Sequence, residues 1–597
     1  MTLKVLRTCF AFAFLALPVA AMAATTVDDL VPTNLPVTLP GSYLAGRGAD
    51  FDRNLGAAVK YYAEAFAEDP ENPTVGERLV LLGLASGQTK EAFGFARKLD
   101  EVDSGNAIAR IALAAQAIET NDLAAVDGIA GSLSGTALAK LTGGLMNAWA
   151  AYGLGQVEKA LQIVDQLSGP SWYGVFKDYH RALLLDAAGR GREAADAIDK
   201  AYQSDAGALK VLLAYATIHA RNGEKDKAAK VLFDAVAGAP VQAPARALLK
   251  AIQDNDKLEP VIGSAQMGAA DVLYGIGAAI GTDQGPELPG AYLRLSAFLD
   301  PNSDLTTMSL GDTFQASDLC EDAIAIYRKM PMSSSLKRQA NLQIGSCLMA
   351  LDKLDEAIAF TKTLVDDDPK DVDAAIQLGN AYRASDRFAE AAEAYTKGVE
   401  ASGDPKSLDW RILYYRGVSY TMADEWPRAE ADFQQALQIN PGQPQVLNYL
   451  GYSWVDKGLH LDAALKMIRD AVDQRPNDGY IVDSLGWAYF KLGRYDEAVK
   501  ALERAVLLRP GESTLNDHLG DAYWKVGRKR EAMFQWAHAR DFDPEPGELP
   551  RILEKLEHGL ADAAKPVKRS DAGSPTPGVR LASLVFPGMM LTVPAAD

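Results

Sequence analysis

The sequence returns to one pattern every 34 residues, as from Gly486 to Gly520, from Ala498 to Ala532 and from Pro510 to Pro544. A period of that length marks a chain built by stacking one small helical unit on the next. The clearest copy, Gly479 to Glu512, carries Tyr480, Leu485, Gly486, Tyr489, Gly493, Tyr495, Ala498, Leu502, Ala505 and Pro510. The copy after it repeats Leu519, Gly520, Tyr523, Gly527, Ala532, Trp536, Ala539 and Pro544 at the same offsets. The small residue at the centre of each first helix reads Gly46, Ala114, Ala148, Ala182, Ala216, Gly277, Gly311, Gly345, Gly379, Gly417, Gly451, Gly486 and Gly520. Its partner in the second helix reads Ala58, Ala92, Ala160, Ala194, Ala228, Ala323, Ala357, Ala391, Ala429, Ala464, Ala498 and Ala532, with Val126, Ile262 and Pro289 where the alanine fails. About fifteen antiparallel helix pairs are expected between residues 41 and 545, an all-α solenoid.

Close helix crossings explain the pattern. Two helices approach only where the side chains between them are small, and Gly486 and Ala498 meet that need. Leu485, Tyr489 and Leu502 then fill the surrounding space. Gly493 and Gly527 fall where the first helix stops, a position that favours left-handed backbone. Pro441, Pro476, Pro510 and Pro544 end the second helices, since proline cannot donate the next hydrogen bond. A solenoid also suits a chain of 597 residues, because each repeat packs only on its neighbours.

The rhythm is uneven in places. The step from Ala391 to Ala429 is lengthened by a loop at Gly403-Asp404-Pro405. The stretch 240–290 matches poorly and is read as degenerate repeats forming a hinge between an N-terminal array, 41–239, and a C-terminal array, 291–545. Continuous superhelix with sequence drift is the alternative. A capping helix is expected over 546–560. The tail 561–597 is expected to be disordered, a Pro- and Gly-containing linker with an apolar end, Leu581 to Leu591, that folds back on the last repeat or binds a partner.

The N-terminus reads as a secretory signal. Lys4 and Arg7 precede an apolar run from Cys9 to Ala20, and Ala21-Met22-Ala23 is a small-x-small cleavage site. Residues 1–23 are the expected signal and 24–40 an extension. The run is shorter than the roughly 20 residues that span a bilayer. Cys9 is not placed to become a lipidated N-terminus, so an exported, periplasmic protein without a lipid anchor is expected. A net charge of −19 argues against nucleic acid and anionic lipid as main partners. Of the two remaining cysteines, Cys320 opens a second helix and Cys347 lies in the next first helix. A bridge between them and a pair of small buried residues both remain open.

No HExxH, GxSxG, CxxC or Walker-type glycine loop occurs. The six histidines, His180, His219, His460, His518, His538 and His558, lack metal-ligand spacing. Asp366, Asp367 and Asp368 precede Pro369 as a solvated turn. No enzyme, cofactor or metal site is expected.

The repeat resembles the tetratricopeptide repeat (TPR). That resemblance implies a right-handed superhelix with first helices lining a concave groove that binds other proteins. Carried onto this chain, the family geometry points Arg411 and Tyr414 inward, then Asn448 and Tyr452, then Tyr480, Asp483, Trp487 and Phe490, then Asp517, Asp521 and Trp524. The aromatic members are suited to anchor an interface, and Asn448 to hydrogen-bond a ligand backbone. The best-known TPR mode grips a terminal carboxylate with basic residues. Here Asp483 and Asp517 occupy two such positions and would repel it, which favours extended or helical segments with apolar and basic side chains.

The runs Val446 to Tyr452, Asp478 to Trp487 and Asn516 to Trp524 resemble an exported proteobacterial TPR family. That family includes an adaptor that partners a periplasmic carboxy-terminal processing protease and presents substrates to it. A scaffold or adaptor is the implied role, with self-association compatible. An assembly factor for an outer-membrane or pilus machine is one alternative. A cell-wall glycan-binding module or hydrolase is another.

Overall fold

A computed structural model describes residues 38–560, except 132, 134, 239–242, 283–284 and 404–407. The expected signal 1–23, the extension up to residue 37 and the tail 561–597 lie outside the described residues. Among the described residues there are thirty α-helices and no strand. None of these helices is long and apolar enough to cross a membrane.

The chain divides into two compact units, Met1–Gly144 and Leu145–Asp597. The division does not fall in 240–290, where the sequence suggested a hinge. In the first unit, Leu39–Phe51 pairs with Leu55–Glu68, Pro73–Ala85 with Thr89–Val102, and Ala107–Glu119 with the short Ala125–Ala130. Asparagines start several of these helices. The Asn54 side chain accepts from the Ala57 amide at 3.0 Å, and Asn106 from Ala109 at 3.2 Å, each satisfying a donor that the first turn leaves free. Gly46 lies so near the Tyr62 ring that a Cβ would sit 3.1 Å from it.

In the second unit the pairs run in strict alternation from Asp304–Gln315 and Cys320–Tyr327 to Ser513–Lys525 and Lys529–Asp541. Each of the twelve second-helix alanines along the chain is 0% exposed, so each occupies a crossing with no spare room. At Gly486 an added Cβ would lie 2.5 Å from Leu502, and at Gly520 2.5 Å from Trp536. Gly493 and Gly527 take φ of 73° and 83°, the left-handed turn expected at the end of the first helix. Where that glycine is missing, Asp318, Asp352, Asp386 and Asp424 take the same conformation. Second helices end at Ile439, Gln474, Leu508 and Asp541, just before the four prolines. The last helix is Leu549–His558, inside the expected 546–560.

The irregular stretch has a definite structure. Helix Ala243–Gln253 has no second-helix partner after it, because residues 254–264 are not helical. The chain instead lays this segment and the next helix, Ala265–Ala279, along first helices of the preceding repeats. The Val261 amide donates to Asp186 at 3.0 Å. Gly268 lies on the Trp149 indole, Gly275 faces Phe176, and Lys210 pairs with Asp271. The Lys210 ammonium also sits 4.2 Å from the Tyr274 ring centre. On its other side the same helix packs on Glu287–Leu299, with Gly277 against Leu293. Residues 265–279 thus form a buried joint rather than an exposed hinge: Ala269, Ala270, Val272, Leu273 and Ile276 are all buried.

Candidate protein-binding face

The first helices of the second unit carry every inward-facing residue expected from the sequence. The structure places them in three different settings. Tyr414, Asn448, Tyr452 and Tyr480 are buried. The Tyr414 and Tyr449 rings meet edge to face at 6.0 Å between centres. Burial raises the Tyr452 hydroxyl well above its ordinary pKa, with Asp483 adding to the effect. Tyr480 donates to Glu512 at 2.6 Å, and its pKa is pushed up to about 12, chiefly by burial. Asn448 has no partner for its Oδ1 among the described residues.

The acidic residues are engaged internally. Asp483 faces His518, with the carboxylate 3.0 Å from Nδ1. Asp517 and Asp521 both receive the Lys555 ammonium from the last helix, at 2.7 Å and 2.9 Å. All five side chains are buried. This corrects the expectation that Asp483 and Asp517 stand free to repel a carboxylate ligand. They are neutralised from the neighbouring repeat, because a buried carboxylate without a counter-charge is costly. Burial still pushes the Asp521 carboxyl up, with Lys555 pulling it down.

The third setting is half-exposed. Trp487 lies parallel to two rings, 4.8 Å from Phe490 with planes 6° apart and 4.0 Å from His518 with planes 14° apart. Lys491 adds a cation 5.4 Å from the indole centre. Trp487 and Phe490 both keep part of their surface open, as do Arg411, which is paired with Asp409, and the exposed Asp456 and Lys491. Trp524 is half-buried beside Trp536 at 5.3 Å, and Gly559 closes over it. The end of the first-helix face is therefore covered by residues 549–559. Around Trp149 and Lys210 the same kind of face is covered by helix Ala265–Ala279. Between these, Arg411 on Trp410–Met422 and Trp487 and Phe490 on Gly479–Lys491 keep partial exposure, and Asp456 and Lys491 at the ends of their helices are exposed.

His518 and Lys555 are the residues that sequence reasoning missed. Their signal was the repeat itself: Asp521 and Lys555 are 34 positions apart, and Asp483 and His518 are 35. Burial lowers the His518 pKa, but Asp483, Asp517 and Asp521 together raise it above the ordinary histidine value. The sign of the pH effect follows. The ion pair contributes fully below the unfolded-state value and is lost as pH rises through the folded one. Unfolding of the last repeats, followed by tryptophan fluorescence, should become easier as pH rises above about 6.5, by at most about 1.4 kcal/mol per pH unit. His518→Gln should flatten that dependence. An unchanged slope in the variant would assign the effect to another group.

Among the described residues no cluster of three metal-ligating side chains occurs. The Cys320 and Cys347 sulfurs lie 2.7 Å apart, both as free thiols.

Comparisons with known proteins found the same kind of repeat in part of the chain. Tetratricopeptide repeat models match residues 376–444, 425–479 and 482–512. Tetratricopeptide repeat protein 13 of Homo sapiens is 31% identical over 100 residues, 17% of this chain and 11% of that protein. A TPR repeat-containing protein of Pseudomonas aeruginosa is 28% identical over 86 residues, 14% of this chain and 15% of that one. The matched stretch thus spans little more than a tenth of these curated relatives. Among solved structures, the Cut9–Hcn1 hetero-tetramer of the APC/C aligns over 88% of this chain and 96% of that one, at 15% identity and a TM-score of 0.37. YrrB, described as a TPR protein with an unusual peptide-binding site, aligns over 32% of this chain and 97% of its own, at 18% identity and a TM-score of 0.26. Between residues 376 and 512 the chain is made of tetratricopeptide repeats, set in an all-α solenoid.

Proposed function

We propose that this protein is an exported, non-enzymatic scaffold that holds segments of other proteins against its first-helix face and delivers substrates to a periplasmic protease. The observation that carries the binding role is the half-exposed Trp487, stacked with Phe490 and His518 on the first-helix face. An indole already held by stacking loses little entropy when a partner covers its exposed part, which suits it to anchor an interface. Arg411, Asp456 and Lys491 supply charges of both signs on the same row of helices. An extended or helical segment with apolar side chains and mixed charge fits this surface. Export and delivery to a protease rest on the N-terminal sequence and on the resemblance of residues 446–524 to the exported adaptors.

Photo-crosslinkers placed at Asp456 and Lys491, compared with Lys362 and Lys500 on exposed second-helix surfaces, test the reading in cells. Adducts at the first pair alone, containing a processing protease and its substrates, are the expected result. Equal adducts at all four positions would rule the face out as the binding surface. Adducts with outer-membrane or pilus assembly components alone would assign a different machine. For a partner so identified, Trp487→Ala should weaken binding by about 1–2 kcal/mol, the scale of a central aromatic anchor. Calorimetric titration of the two purified proteins measures it.

A further inference from the structure

Cys320 is the first residue of helix Cys320–Tyr327, and Cys347 lies in the helix Lys337–Ala350 of the following repeat. Their sulfurs are 2.7 Å apart, well inside the contact distance of two sulfur atoms that merely pack together. Cys347 is fully buried, and Cys320 keeps a sliver of exposure at 6%. No side chain caps the Cys320 helix, so the unpaired amides of its first turn favour negative charge at its start.

We propose that Cys320 and Cys347 are a disulfide site, joining the second helix of one repeat to the first helix of the next, with Cys320 as the attacking thiol. The oxidant is a disulfide, either a small one such as oxidised glutathione or one carried by an oxidoreductase. The Cys320 thiolate attacks one sulfur of that oxidant. The oxidant's S–S bond breaks, a mixed disulfide forms and one thiolate leaves. Cys347 then gives up its proton and attacks the Cys320 sulfur, expelling the second thiolate. Two thiols are oxidised and one disulfide is reduced. The two protons end on the departing thiols.

The order follows from environment. A thiol reacts as its thiolate, at a helix start and within reach of the oxidant. Cys320 opens its helix and, though buried, is the less covered of the two, at 6% exposed against 0% for Cys347. Its pKa is drawn down by the hydrogen bond it shares with Cys347, against burial and the charge of Asp318. Cys347 is raised by the same contact and by burial, which suits it to be the second sulfur to react. The bond would close the segment between the two helices and tie successive repeats across their interface.

The test uses the purified full chain after exposure to oxidised glutathione or to dithiothreitol. Peptide mapping should show a Cys320–Cys347 peptide lighter by two hydrogens in the oxidised sample. Amide exchange in 304–367 should slow about 100-fold relative to the reduced sample, as expected when a cross-link opposes local opening. Cys347→Ser should trap glutathione on Cys320, while Cys320→Ser should leave Cys347 unmodified. Two alkylatable thiols at these positions after oxidation would overturn the site. Glutathione on Cys347 and not on Cys320 in the single variants would overturn the assigned order.

Discussion

Replacing Lys555 with methionine should release the last helix, Leu549–His558, from the repeat it covers, at a cost of about 3–5 kcal/mol. Methionine keeps most of the volume and removes only the charge. Lys555 holds both oxygens of Asp517, at 2.8 Å and 2.7 Å, and reaches Asp521 at 2.9 Å. Without it two carboxylates share a dry site beside His518. Burial already pushes Asp521 toward its protonated form, so the loss of Lys555 would drive protonation or opening of the site. Opening is the easier escape, since the helix is the end of the array and only Ile552 and Lys555 of it are fully covered. Repeat arrays open locally, so the readout must be local. Amide exchange across 513–558 should accelerate by two orders of magnitude or more, while 304–402 stays unchanged. Adding Asp517→Asn and Asp521→Asn should restore much of the loss, because amides need no counter-charge. A single-variant effect below about 1 kcal/mol would mean that the pairs are hydrated and contribute as surface bridges do.

Much of the fold was legible because the repeat encodes local demands. A crossing needs a small residue, a helix stop needs left-handed backbone, and a second helix needs an ending. Ala498, Gly493 and Pro510 each answer one of these, and neighbouring repeats confirm the register. The face was less legible. A first-helix residue at an inward position can turn to a ligand or to the next first helix, and a single repeat read alone does not distinguish them. Position alone puts Asp483 and Asp517 on the face. Comparing each repeat with the next at the 34-residue spacing would have offered Lys555 as a partner for Asp521, whereas His518 lies one position further on from Asp483. Trp487 differs from Tyr452 for a related reason. Each directly follows the central glycine of its helix, yet Tyr452 is buried and Trp487 is not.

The joint at 254–279 was illegible for another reason. Its glycines suggested weakness, whereas Gly268 and Gly277 each remove a side chain from a crowded contact. Gly268 and Gly275 are seven residues apart, two helical turns, and so share one face, toward Trp149 and Phe176. Gly277 lies toward Leu293. Two faces of small residues on one helix signal close packing on two sides. A mobile segment has no such need.

That distinction makes Gly268→Ala a sharp test. In an ordinary helix the change stabilises by about 1 kcal/mol, because alanine loses less backbone entropy than glycine. Here the new Cβ would lie 2.0 Å from the Trp149 ring, with two more ring atoms within 2.4 Å. The indole has little room to give way: it is fully buried, and its Nε1 donates to His180 at 3.3 Å. His180 accepts that bond as a neutral ring, since burial lowers its pKa to about 4. The helix must therefore lift, and the contacts of Asp271 with Lys210 loosen with it. A net loss of about 3 kcal/mol is expected, at the upper end of overpacking costs. Gly275→Ala is the control, because its Cβ would meet Phe176 at an ordinary 3.5 Å. Trp149→Ala should itself cost about 3–5 kcal/mol by leaving a cavity. In the double variant the methyl added at position 268 enters that cavity, so the combined loss should be clearly less than the sum of the two. Full additivity, or a Gly268→Ala protein as stable as its Gly275→Ala counterpart, would show that helix Ala265–Ala279 does not rest on the first-helix face around Trp149.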